Sequence, residues 1–264
     1  MLAPVAPNAT RAAFTLARFV LLEARRTRLP LLVLCALVAG VGLAGFLSQL
    51  ALTESASLQA GVLAAFFRAT AVFVCAAFVV TSMVRESNDK GTELILSLPI
   101  SRVAYYAGKL IGFGACGVLL AGIFSLIMLV WSPPLAVIAW FASLVLEVWL
   151  IAAVSLFFVV TLADVVPALA ATAGLYVLGR TVAAVQSIAA SPIAVEENVV
   201  HKLGGWAVDA VALLLPPLDK ATQTSWLLYS PPAAGDFLNI AASLLVYGVL
   251  VTAAGLFDFH RRNL

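Results

Sequence analysis

The chain has 264 residues, 63% of them hydrophobic and 11% charged, with a formal net charge of +2 and a mean hydropathy of +1.09. A water-soluble domain carries about a quarter charged residues, so a single aqueous core is excluded and the solvent is lipid. All three cysteines, Cys35, Cys75 and Cys116, lie in apolar runs, where they read as small hydrophobes rather than disulfide partners or zinc ligands.

Charged residues persist to Arg28 before the first long apolar run, so a cleavable signal peptide is not expected. Arginine recurs at Arg11, Arg18 and Arg25, a seven-residue step that keeps the three on one helical face. Ala13, Leu16, Ala17 and Val20 occupy another. This pattern predicts an amphipathic helix within residues 1–28, lying in the inner interface with its arginines toward anionic headgroups.

Six runs reach the roughly 20 residues a helix needs to cross hydrocarbon: Leu29–Leu50, Gly61–Val84, Leu110–Trp131, Leu135–Ala163, Val166–Ala189 and Phe237–Phe257. Ser132-Pro133-Pro134 predicts a tight outer turn after the third, and Asp164 with Pro167 an inner turn after the fourth. Basic residues set the orientation. One face collects the arginines up to Arg28, then Arg85, Lys90, Arg102 and Lys109, then Arg261 and Arg262. The other has Lys202 and Lys220 against Glu54, Glu196, Glu197, Asp209, Asp219 and Asp236. Both termini are therefore expected in the cytoplasm, in a multi-pass protein of the cell membrane.

Between the second and third spans runs Arg85–Lys109, a charged segment between two membrane-length stretches. Lys90 to Ser97 holds good helix formers, and Pro99 disfavours helix at Leu98. Ser101 is placed to cap a new helix leading into the third span. The expectation is a short helix against the inner membrane face that presents Glu86, Asp89 and Glu93 to the cytosol. The plain alternative is a solvated loop obeying the charge rule.

Glu86, Gly91, Thr92, Glu93, Leu94, Leu96, Ser97, Pro99, Ser101, Arg102, Tyr106, Gly108 and Lys109 together resemble the first cytoplasmic loop of type 2 ABC transporter permeases. The resemblance extends to six spans, an N-terminal amphipathic helix and a long outer segment. It looks closest to the branch labelled for multicopper-enzyme maturation. It implies an all-α integral membrane fold of one domain over residues 1–264. It also implies that residues 85–109, with Asp89 and Lys90, form a coupling helix seated in a groove of a separate ATP-binding subunit. Two such subunits, carrying ATP and Mg²⁺, and a second permease, identical or homologous, are the implied partners. An outer accessory protein is a further one; no nucleic-acid partner is expected. Export is implied because the family is mostly exporters.

The chain has no G-x-x-x-x-G-K-[ST] phosphate cradle: no glycine lies five residues before Gly108, and no Ser or Thr follows Lys109. No cofactor and no catalytic residue is expected here. His201 and His260 have no Ser or Cys partner at a recognisable spacing. Met83, Met128 and the cysteines are too scattered for a copper or zinc path.

Arg68, Glu147 and Arg180 fall within spans. Such charges face a bundle interior or a watery cavity. Helical rise puts them roughly 10, 18 and 14 Å deep. Glu147 is thus placed to pair with Arg68 or Arg180, either to fix packing or beside a cavity where arginines meet an anionic headgroup or polar substrate. Arg68 is shallow enough to snorkel outward. Gly108 and Gly112 form a G-x-x-x-G, and Gly40, Gly42 and Gly45 crowd the first span.

Between the last two spans, residues 190–236 form an outer segment. Its run Trp206–Leu215 ends at Pro216-Pro217 and spans half a crossing. It reads as a re-entrant or interfacial helix, with Trp206, Trp226 and Tyr229 in the headgroup belt. Two further readings stay open: a proton-coupled transporter using Glu147, and a scaffold that relays ATPase motion outward without transport.

Overall fold

The computed structural model describes residues 9–50, 55–98, 100–189, 199–228 and 232–261, and every regular element among them is an α-helix. In chain order these are α1 (Ala9–Arg26), α2 (Leu29–Leu50), α3 (Ser55–Asn88), α4 (Gly91–Leu96), α5 (Arg102–Met128) and α6 (Pro134–Leu162). There follow α7 (Val165–Ala189), α8 (Val199–Leu214), α9 (Leu218–Ala221), α10 (Ser225–Leu228) and α11 (Ala234–Arg261). Six of them, α2, α3, α5, α6, α7 and α11, are long and apolar enough to cross a membrane.

The α2 bounds are those the hydropathy predicts, whereas α3 runs to 34 residues, about 51 Å at helical rise. Hydropathy marks where lipid ends, but backbone hydrogen bonding carries the helix on through Arg85–Asn88. Local signals then stop and start the chain. Lys90 adopts a left-handed φ of 55° between α3 and α4. The Ser101 hydroxyl caps α5 by accepting from the Ala104 amide at 3.2 Å. Pro133 precedes α6 with Pro134 in its first turn, and Ala163 ends that helix at a φ of 64°. Pro99 lies outside the described residues.

Helix α6 is the centre of the bundle, packed against α3, α5, α7 and α11. Trp140, Leu144, Val148, Ile151 and Leu156 along it are fully buried. α2 lies against α3, while α8 and α9 lie against α7.

The glycine pair on α5 turns out to be the seat of α1. A Cβ on Gly108 would lie 2.7 Å from the Ala13 carbonyl oxygen, and one on Gly112 would lie 2.7 Å from the Val20 Cβ. Only hydrogen lets the two backbones approach so closely. The interfacial reading of α1 is therefore corrected for one face: Ala13, Leu16, Ala17 and Val20 are buried by protein. Arg11, Arg18 and Arg25 remain exposed together, and Phe14, Phe19 and Leu22 are the large exposed apolar residues of α1.

The outer segment departs from expectation in two ways. Helix α8 begins earlier than Trp206 and lies along α7, where the Gln186 amide donates to the Asp209 carboxylate at 3.0 Å. Trp206 is exposed, as a headgroup residue should be, but Trp226 is buried against Phe237 at 6.1 Å between ring centroids. Trp226 is thus packing rather than belt. Tyr229 lies outside the described residues.

Gly112→Val is expected to force α1 off α5 at an overpacking cost of about 1–3 kcal/mol, read as a lower unfolding midpoint in detergent. Gly42→Val, whose Cβ meets nothing within 4 Å, should not lower it. An unchanged midpoint for Gly112→Val would contradict this packing.

Candidate functional site

Two constellations stand out, one at the basic end of the bundle and one inside it. The first is an elbow made by the end of α3, α4 and the start of α5. Its tip is open: Asp89, Lys90, Glu93, Leu94, Ser97 and Leu98 are all exposed, Leu94 at 72%. The Ser97 hydroxyl donates to the Leu94 carbonyl at 2.7 Å and closes the last turn of α4. Leu96 belongs to α4. Thr92 is buried and faces a small cleft with Met83, Val84, Val159 and Phe259. Gly91 is pressed against Glu86, whose Cγ would lie 3.0 Å from an added Cβ.

Glu86 corrects the sequence reading. It does not face the cytosol but is half-buried, accepting from the Tyr105 hydroxyl at 2.8 Å and pairing with Lys109. Lys109 is itself buried and sits over Tyr105 and Phe113 at 5.9 and 6.0 Å from their ring centroids. In a poorly hydrated setting neither charge is tolerable without the other, so Glu86 fastens α3 to α5.

Two further ties surround that fastening. Glu23 on α1 pairs with Arg85 and accepts from the Ser82 hydroxyl at 2.8 Å. Arg102 donates to the Phe259 and His260 carbonyls at 3.3 and 3.0 Å, a cation on the exposed carbonyls at the C-terminus of α11. Tyr105 stacks on Phe259 at 5.6 Å beside it. The elbow is thus braced within itself, α3 to α5, and bolted to α1 and α11 as well.

Inside the bundle, Arg68 on α3 meets Glu147 on α6 at 2.5 Å, and both are buried. This settles the pairing left open by depth alone. It also corrects the expectation that Arg68 snorkels outward, because Arg68 is 1% exposed. Its second terminal nitrogen donates to the Ser143 hydroxyl at 2.9 Å, and its guanidinium lies 5.4 Å from the Trp140 ring centroid. Trp140, Ser143 and Glu147 share one face of α6, so about two turns of helix supply the whole cradle.

Arg180 joins the same network indirectly. It donates to the Tyr176 hydroxyl at 2.9 Å, and that hydroxyl donates to the other Glu147 oxygen at 2.9 Å. The result is a continuous relay from Arg180 through Tyr176, Glu147 and Arg68 to Ser143, linking α7, α6 and α3. Ser143 and Tyr176 escaped the sequence reading because neither is charged. The i, i+4 spacing of Tyr176 and Arg180 on one helix was the available signal.

The family model described as ABC-2 family transporter protein matches residues 47–193. That stretch is more than half of the chain and holds the elbow, the Arg68–Glu147 pair and Arg180. The chain belongs to this family. No curated protein matches it. It is a multi-pass membrane permease subunit of an ABC transporter, not the catalytic ATPase, and it works with an ABC ATP-binding subunit.

Glu147→Gln is expected to leave the Arg68 charge buried without its partner, at a cost of about 3–5 kcal/mol. Replacing both with apolar residues, Arg68→Met with Glu147→Leu, should recover most of it. The check is the unfolding midpoint of each variant in detergent. Additive losses in the double variant would show that the two side chains do not act as a pair.

Proposed function

We propose that the chain is the path-forming subunit of an exporter, driven through the elbow by a separate ATP-binding subunit. Two permease chains, identical or homologous, enclose the path, and two ATP-binding subunits holding ATP and Mg²⁺ dock beneath them. Both termini lie in the cytoplasm, on the side of the elbow, as the basic residues of that end favour. An outer accessory protein is compatible with the long connection before α11.

The single observation that carries this reading is the contrast between the elbow's tip and its root. The tip offers an exposed leucine, Leu94, ringed by Asp89, Lys90, Glu93 and Ser97, the pattern of an apolar anchor with a polar rim. The root is fixed internally by Glu86 to Lys109 and externally through Arg85 to α1 and Arg102 to α11. A push at Leu94 therefore moves α3 and α5 as a unit rather than bending the loop. About 25 Å along α3 at helical rise, the same helix carries Arg68, so displacement at the elbow reaches the buried relay and opens the bundle to alternate faces.

The two rival readings fit less well. A proton site at Glu147 would need a carboxylate with an open oxygen, but both of its oxygens already accept from Arg68 and Tyr176 and the residue is fully buried. A scaffold without a path would use the relay for helix packing alone and would leave the transporter role of the family unfilled.

Glu93→Arg and Leu94→Asp are expected to lower co-purification of the ATP-binding subunit, or its stimulated hydrolysis, by roughly tenfold, the equivalent of about 1.4 kcal/mol of binding. Membrane insertion should be unaffected. Normal hydrolysis and complex yield in both variants would count against docking through the elbow.

A further inference from the structure

The relay, buried at Arg68 and Glu147 and part-buried at Arg180, is not electrically balanced. It contains two guanidinium groups, Arg68 and Arg180, and one carboxylate, Glu147. Arg68 is matched by Glu147 and Ser143. Arg180 has five donors to offer, yet its partner is the neutral Tyr176 hydroxyl. Among the described residues no carboxylate lies within ion-pair distance of it. A cation without a counter-charge in a membrane-crossing helix is costly and marks a place where an anion is received.

What adjoins that cation narrows the anion's chemistry. A groove of about 290 Å³ opens between α3 and α7, lined by Val72, Phe73, Ala76, Leu169, Ala173 and Tyr176. Its size is near the lower end of small-molecule sites, roughly 300–1,000 Å³. Tyr176 belongs both to this groove and to the relay. Along α3, Arg68 lies one turn beyond Val72, and along α7, Arg180 lies one turn beyond Tyr176. With Arg68 already met by Glu147, Arg180 is the uncompensated positive charge at that end of an otherwise apolar groove. A small inorganic anion would answer the charge and leave the walls unfilled. A neutral lipid would do the reverse.

We propose that Arg180 and the α3–α7 groove bind an anionic amphiphile, its phosphate or carboxylate on Arg180 and its alkyl chain along Val72, Ala76 and Ala173. This names a substrate class for the export reading and rests on it for the step from binding to transport. The binding itself stands on the geometry.

The test uses the full chain purified with its ATP-binding subunit in a neutral detergent, with native mass spectrometry as the readout. The probes are oleate, dioleoylphosphatidylglycerol, dioleoylphosphatidylcholine and inorganic phosphate. Oleate, phosphatidylglycerol or both should bind at least tenfold more tightly than phosphatidylcholine, and inorganic phosphate should not be retained. Preference for oleate assigns the site to a fatty acid, and preference for phosphatidylglycerol to a phospholipid headgroup. Arg180→Gln should bring the anionic probes down to the neutral lipid's level, and Arg180→Lys should keep part of the preference. Ala173→Phe should weaken both tailed anions with Arg180 intact.

Unchanged anion preference in Arg180→Gln, or phosphate bound as tightly as oleate, would overturn the proposal. So would an Arg180→Gln variant that separates the permease copies while amphiphile binding persists, since the counter-charge would then come from a second copy. The ATP-binding subunit is scored in the same spectra. Its absence alongside normal amphiphile binding would refute the coupling reading and leave the site standing.

Discussion

The ion pair between Glu86 and Lys109 is the contact that fastens the end of α3 to the start of α5. Without it, the helix ends flanking α4 would be joined chiefly by apolar packing such as Phe78 on Phe113, and a force on the tip would be absorbed more readily by the turns at Lys90 and Ser101. With it, and with the Tyr105 hydroxyl on the same carboxylate, the end of α3 and the start of α5 form one bracket. The neighbouring contacts extend the bracket: Glu23 adds α1 and Arg102 adds α11. A left-handed Lys90 is then a feature of a rigid corner, held by the packing of Gly91 on Glu86, rather than slack in a loop.

The bundle interior follows the same physics in a drier setting. No water competes for the Arg68 guanidinium or the Glu147 carboxylate, so each is satisfied by protein, with Ser143 and Tyr176 completing the set. Such a network holds α3, α6 and α7 in one register, and it is also the place where a small shift of α3 has the largest electrostatic consequence. Elbow and relay share α3, so the site where force is proposed to enter and the site where an anionic ligand is proposed to sit are joined by one continuous helix. Coupling between them needs no further pathway.

The sequence disclosed the architecture better than its contacts. Lipid demands long apolar helices, and that demand is written directly in composition, which is why α2 could be bounded correctly and all six spans counted. Capping and turn chemistry are equally local, so the Ser101 cap and the turn at Ser132-Pro133-Pro134 were legible. Long-range pairings were not. Glu86 reads as one more loop charge until Tyr105 and Lys109, a turn or two into the next span, fold back on it. Arg68 and Arg180 lie at similar depth, and rise per residue cannot choose between them as partners of Glu147. Tyr176, which lets Glu147 serve both arginines, carries no charge to draw notice. The face of α1 was visible as small residues, but its partner at Gly108 and Gly112 was not, because a G-x-x-x-G pattern states that something packs closely without saying what.

The most direct measurement is photocrosslinking from a benzophenone side chain placed at Leu94, in the intact complex with and without ATP, with Leu135 near the opposite end of the bundle as control. Transmission through the elbow predicts an adduct between position 94 and the ATP-binding subunit whose yield changes with nucleotide, and none from position 135. An elbow that labels only lipid or solvent while the ATP-binding subunit is present and active would contradict the account.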